Sequence, residues 1–115
     1  DLGFAYFDLN SSYLNKESKA VLDALASILE REKEVSLKIV SHTDSRGTST
    51  YNKWLSEKRV ERTIDYLISK GISTQRLTPE SLGETNLLNE CDDTTYCTED
   101  KHSINRRSEF IITKM

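Results

Sequence analysis

The sequence has little proline, little glycine and no long apolar run. One proline and four glycines in 115 residues exclude a collagen-like chain and a low-complexity linker. No stretch approaches the roughly 18 apolar residues that a membrane-spanning helix needs, and no secretory signal peptide is recognisable. The chain begins at Asp1 and not at Met, which predicts a processed or excised piece of a longer protein.

Positive charge is not in excess either. There are 16 Lys and Arg residues against 19 Asp and Glu residues, which gives a formal net charge of −3 and a pI near 5.4. A general nucleic-acid binder would display a basic face, so this balance argues against nucleic acid as a partner. The hydrophobic content of 36% and the length predict one globular domain over residues 1–115.

Cysteine is scarce, and both copies fall in one polar segment. Cys91 and Cys97 lie six positions apart. Two cysteines alone do not complete a tetrahedral metal site, and the chain has no further cysteine pair. The alternatives are two free thiols and a small loop closed by a disulfide. The second is favoured and would imply an oxidising compartment.

Hydrophobic periodicity predicts two helices set between strands. The helices are predicted at 16–31 and 49–70, the second with its apolar side at Trp54, Val60, Ile64, Leu67 and Ile68. Strands are predicted at 2–9, 35–39, 77–82 and 108–113, with a long polar connection at 86–103. This order favours an α/β sandwich (α+β): a single mixed four-stranded sheet with the helices packed on one face.

The most informative region joins the second strand to the second helix. Asp44 follows the strand in a turn, and Asn52, Leu55 and Arg59 share one helix face because they are spaced i, i+3, i+7. We therefore expect Asp44 and Arg59 to converge on one small cavity. A carboxylate and a guanidinium that do not neutralise each other suit a zwitterion such as an amino-acid head group.

The same residues admit other interpretations. Asp44 can cap a turn while Arg59 makes an exposed ion pair. His42 and Asp44 could serve a metal site with His102 or a hydrolase, although the sequence shows no complete metal set and no nucleophile motif. Arg106 and Arg107 could bind an anion, or pair with acidic residues and hold the last strand.

Motifs along nearly the whole chain resemble the OmpA-like peptidoglycan-binding domain. That domain also occurs in the peptidoglycan-associated lipoprotein and in flagellar stator proteins. The match is strongest at residues 41–48 (SHTDSRGT) and at 51–59 (YNxxLSxxR). Further positions also agree with the family: Phe7-Asp8, Tyr66-Leu67 with Gly71-Ile72, Gly83-Glu84 and Asn105-Arg106-Arg107.

The resemblance implies a β-α-β-α-β-β fold that binds peptidoglycan without cleaving it, with no cofactor or metal. The ligand would be the meso-diaminopimelate residue of the stem peptide, with Asp44 at its ammonium group and Arg59 at its carboxylate. Other residues would line the pocket: Thr48, Asn52 and Leu55 from the turn and helix, and Phe7, Asp8 and Leu9 from the first strand. The location would be the periplasm of a Gram-negative-type bacterium, associated with the outer membrane through a missing N-terminal part.

Two other functions stay open at this point. One is a hydrolase acting on the cell wall through His42 and Asp44, and the other is a protein-interaction module on the same fold. The connection at 86–103 is longer than in the simplest family members, and it forms either a disulfide-pinned lobe near the site or a surface insertion. A pocket that binds both the ammonium and the carboxylate of the head group should reject a stem peptide with lysine at this position, because Arg59 would then remain unpaired.

Overall fold

The computed structural model describes residues 2–115. The strands are β1 (Phe4–Tyr6), β2 (Ser36–His42), β3 (Leu77–Gly83) and β4 (Arg107–Lys114). The helices are α1 (Lys16–Arg31), α2 (Ser49–Ser69) and the short α3 (Glu99–Ser103), and a single 3-10 turn spans Thr74–Arg76. No helix in the described part of the chain is long and apolar enough to cross a membrane.

The four strands form one mixed sheet in the order β1-β4-β2-β3. Strands β2 and β3 are parallel, because α2 carries the chain back between them, whereas β4 runs antiparallel to both β1 and β2. The predicted single mixed four-stranded sheet is confirmed. Pro79 is tolerated in β3 because this strand lies at the edge of the sheet.

The core lies between the sheet and the two long helices. Helix α1 packs against β1 and α2, and α2 packs against the other three strands. The register places Ile39 opposite Phe110, and both side chains join the core with Leu25 and Leu67. Helix α1 has the predicted bounds, because the Asn15 side chain accepts a hydrogen bond from the Ser18 amide and fixes the first turn.

The main differences from the sequence predictions are at β1, in the connection at 86–103 and at Trp54. Strand β1 is shorter than predicted, since the chain turns after Tyr6 towards the start of α1. The polar connection at 86–103 contains α3, which was not predicted. Trp54 does not join the core, because it is 50% exposed and packs against Tyr51 on the surface.

Candidate functional site

A small cavity lies where β2 ends and α2 begins. The turn between them passes through Gly47, whose φ of 93° is the left-handed conformation that glycine adopts readily. Thr48 then caps α2 by accepting a hydrogen bond from the Tyr51 amide. The cavity has a volume of about 10 Å³ and is lined by Leu9, Asn10, Thr43, Asp44, Arg46, Asn52, Leu55, Arg59 and Arg106.

The structure brings five of the eight predicted ligand-binding residues to this lining: Asp44, Arg59, Asn52, Leu55 and Leu9. The other three lie outside it and contribute indirectly. Thr48 is the helix cap. The ring of Phe7 lies 5.1 Å from the Arg59 guanidinium, and Asp8 offers its backbone carbonyl to that guanidinium.

Arg59 is fully buried and is held by backbone carbonyl oxygens. Its Nε donates to Ser11 O at 2.9 Å, Nη1 donates to His42 O at 2.9 Å, and Nη2 donates to Asp8 O at 3.1 Å. Among residues 2–115 it forms no ion pair with a carboxylate. An exposed ion pair, one of the alternatives for Arg59, is therefore wrong.

Burial sets the charge properties of Arg59. Burial, together with the charge of the neighbouring cation Arg106, lowers the pKa of the guanidinium to about 10. The side chain is still a cation at neutral pH. A guanidinium has five N–H donors, and three of them serve the carbonyls, so two remain for an anionic group.

Asp44 is also buried, but its carboxylate is already paired. Oδ1 accepts from the Arg46 amide at 3.0 Å, and Oδ2 accepts from Arg46 Nη2 at 2.8 Å and from Arg106 Nη1 at 3.2 Å. Burial would raise the pKa of Asp44, but the hydrogen bonds from Arg46 and Arg106 outweigh it and hold the pKa below its ordinary value. Asp44 is therefore ionised at neutral pH.

Sequence reasoning missed two members of this network, Arg46 and Glu99. Glu99 accepts from Arg46 Nη2 at 2.9 Å and from Arg106 Nη2 at 2.7 Å. Arg106 also donates to Phe7 O at 2.8 Å, which fixes it between β1 and the site. The Asn105-Arg106-Arg107 motif was the only signal for Arg106. Arg46 lies within the motif at 41–48 but was assigned no role, and no motif included Glu99.

The segment 86–103 forms a lobe beside the site. Cys91 and Cys97 are joined in a disulfide with a Cα–Cα distance of 5.8 Å, as predicted. The Ser45 hydroxyl donates to the backbone carbonyl of Cys91, and Glu99 opens helix α3 at the end of the lobe. Of the two predicted alternatives, the lobe near the site is confirmed.

His42 belongs to a different cluster of polar residues. Its imidazole lies 3.5 Å from Glu109, and Arg107 is bound to the same carboxylate at 2.8 Å. Burial, together with the charge of Arg107, lowers the pKa of His42 to about 4. No group of three His, Cys, Asp or Glu side chains within residues 2–115 could hold a metal ion, so the proposed metal set of His42, Asp44 and His102 does not assemble.

Comparison with known proteins gives a consistent picture. The model of the OmpA family matches residues 6–100. Outer membrane protein A of Escherichia fergusonii is 39% identical over 90 residues, which is 75% of this chain and 37% of that protein. The peptidoglycan-associated lipoprotein of Brucella melitensis biotype 1 is 32% identical over 99 residues, covering 86% of this chain and 59% of that protein.

The fold agrees with that of a solved relative. The crystal structure of the peptidoglycan-associated lipoprotein from Burkholderia pseudomallei superposes with a TM-score of 0.86 at 27% identity, over 96% of this chain and 89% of that one. The two curated relatives are longer, since the chain spans about a third to three-fifths of their length. Their names refer to the outer membrane and to peptidoglycan, and neither names an enzymatic activity.

Proposed function

The chain belongs to the OmpA family, and on this basis we propose that it binds peptidoglycan through the diaminopimelate residue of the stem peptide without cleaving it. The observation that carries the proposal is Arg59, a buried cation with two N–H donors to spare and, among residues 2–115, no carboxylate partner. It lines the same small cavity as the ionised Asp44. This pair of charges matches an amino-acid head group, with the ligand carboxylate on Arg59 and the ligand ammonium on Asp44.

The surrounding residues complete the proposed pocket. Leu9 and Leu55 supply apolar walls, and Asn52 is held in place because its side-chain amide donates to Arg46 O and to Glu84. The ring of Phe7 and the backbone carbonyl of Asp8 contact the Arg59 guanidinium, and Thr48 caps the first turn of α2. Side chains that are positioned in advance lower the ordering cost of binding.

We further propose a periplasmic location in which the chain links its parent protein to the cell wall. A disulfide persists in oxidising compartments, and the relatives are an outer membrane protein and a peptidoglycan-associated lipoprotein. A hydrolase is less well supported, because the described residues bring no acid/base pair to the cavity other than charges held in ion pairs or by carbonyls.

Calorimetric titration with meso-diaminopimelate tests this function directly. We expect binding of meso-diaminopimelate and none of Nα-acetyl-lysine amide, whose α-groups are blocked as in a stem peptide, so that it offers an ammonium group but no carboxylate for Arg59. Arg59→Lys should weaken binding by roughly ten- to hundredfold, because a point charge replaces a two-donor fork. Equal heats with both ligands, or with neither, would contradict the proposal.

Arg76 offers a matched control for Arg59. Its guanidinium also donates to three backbone carbonyls, those of Leu29, Glu32 and Val35, at the opposite end of β2. Arg76→Lys should therefore lower stability, although by less than Arg59→Lys because Arg76 is only half-buried, and leave the binding of meso-diaminopimelate unchanged. A loss of affinity in both variants would mean that Arg59 acts only through the fold.

A further inference from the structure

The cavity at the site is smaller than the ligand head group that we propose for it. A volume of about 10 Å³ is close to the space required by one water molecule. Some lining group must therefore move when an amino-acid head group enters. The charged lining residues Asp44, Arg59 and Arg106 are buried and held by several contacts each. Arg46 is different, because 38% of its side chain is exposed.

Arg46 occupies the position that a ligand ammonium would take. Its Nη2 lies 2.8 Å from Asp44 Oδ2, the contact that the proposed function assigns to the ligand. A cationic donor of this chain and a cationic donor of the ligand would therefore compete for one carboxylate oxygen. The backbone amide of Arg46 binds the other oxygen, Oδ1, and would stay in place if the side chain left.

Glu99 offers Arg46 a second partner outside the cavity. The same Nη2 lies 2.9 Å from Glu99 Oε1. Arg46 also lines a second, larger cavity of about 700 Å³ on the side of the disulfide lobe, together with Glu99, Asp92 and Asp93. The guanidinium therefore has both space and carboxylates on that side. It can leave Asp44 while keeping its ion pair with Glu99.

We propose that Arg46 is a displaceable internal counter-ion, which competes with the ligand ammonium for Asp44 and is received by Glu99 of the lobe when the ligand binds. This inference rests on the proposed function and deepens it. The ion pair between Arg46 and Asp44 opposes ligand binding. To replace it, a ligand must supply both an ammonium for Asp44 and a carboxylate for Arg59. A ligand with only one of the two charges gains too little to displace it.

The test compares the affinity for meso-diaminopimelate of the chain and of Arg46→Gln. Removal of the competing cation should tighten binding by about two- to fivefold, the range that a partly exposed ion pair supports. Arg46→Lys keeps a cation and should stay near the original affinity. Arg31→Gln, an exposed charge change at the end of α1, is the control for net charge and should have no effect.

A double-mutant cycle tests the role of Glu99. Glu99→Gln should weaken binding in the chain itself, because the displaced Arg46 loses its receiving carboxylate. The loss of affinity should be smaller in the Arg46→Gln background, where there is no displaced guanidinium for Glu99 to bind. Equal losses in both backgrounds would show that Glu99 acts through Arg106 alone and would overturn its assigned role.

The outcomes separate this inference from the function on which it rests. If the chain binds meso-diaminopimelate and Arg46→Gln binds it equally or more weakly, Arg46 is no competitor and the inference is wrong while the function stands. If only Arg46→Gln binds measurably, both are supported. If neither protein binds, the proposed function is overturned and the inference with it. Circular dichroism of each variant checks that it is folded.

Discussion

A guanidinium buried as deeply as that of Arg59 ordinarily faces a carboxylate, because an unpaired charge in the interior is strongly destabilising. Here carbonyl oxygens of Asp8, Ser11 and His42 take that place. Their dipoles hold the cation without neutralising it. A residue selected for stability alone would more simply be apolar, since well-packed apolar groups often replace buried charges at no loss. This is why we attribute ligand binding to Arg59.

The stability of the protein should depend on pH through Asp44. Its folded-state pKa lies below the ordinary value of 3.8, so the ionised carboxylate contributes stability above about pH 4. That contribution is lost as the pH falls through the folded-state pKa. We expect the free energy of unfolding in urea to decrease from pH 5 to pH 3 more steeply for the chain than for Asp44→Asn. Parallel curves would show that Asp44 gains nothing from Arg46 and Arg106.

At the scale of elements, local patterns explain what could be predicted. Helix α1 has its predicted bounds because the cap and the apolar periodicity lie within the helix itself. The row of Asn52, Leu55 and Arg59 reaches one cavity because helix geometry alone sets that spacing. The prediction that Trp54 lies on the buried side of α2 was wrong. Periodicity identifies the apolar side of a helix, but it does not show how far the neighbouring elements cover that side.

The parts of the site that were missed depend on long-range contacts. Glu99 meets Arg46 across 53 positions of sequence, and Arg106 meets Asp44 across 62. A local sequence pattern cannot predict such contacts, because they depend on how the lobe folds back against the turn after β2. Helix α3 was missed for a related reason. Its five residues are too few to show a periodicity, and the ion pairs of Glu99 and the burial of His102 hold it in place.

The disulfide should stabilise the lobe and, through it, the whole chain. A loop closed over a separation of six residues corresponds to about 2 kcal/mol in the chain-entropy model. For a domain of this size such a loss lowers the midpoint of thermal unfolding by about 5–10 °C. We expect this decrease for the Cys91→Ser/Cys97→Ser double variant, measured by calorimetry.

Reductant supplies the control for the disulfide. It should lower the midpoint of the original chain to that of the double variant and leave the double variant unchanged. A midpoint that is insensitive to both treatments would mean that the lobe folds without its cross-link. In that case the contacts of Ser45 with Cys91 and of Glu99 with the two arginines would suffice to hold it.

On the scale of the whole molecule, the site is assembled from four separate segments. The loop after β1, the end of β2 with its turn, helix α2 and the residue before β4 each contribute to one cavity. The network of Asp44, Glu99, Arg46 and Arg106 contains two negative and two positive charges, so it is neutral as a group. Arg59 is the additional cation. This network and Arg59 together therefore carry one net positive charge, although the chain carries a net charge of −3.

This charge distribution predicts how the proposed binding to an intact cell wall should depend on salt. Long-range attraction between an acidic chain and an anionic wall is not expected, so binding should come from buried charges, which salt screens only weakly. We expect co-sedimentation with sacculi that contain diaminopimelate to change little between about 75 and 300 mM salt, values about twofold on either side of physiological ionic strength. Sacculi with lysine in the stem should not retain the chain, because Arg59 would be left without its carboxylate. Asp44→Asn is the control that should abolish retention on the sacculi that contain diaminopimelate. Retention that disappears with added salt, or that is equal on the two kinds of wall, would mean that surface charge binds the protein and that the cavity does not.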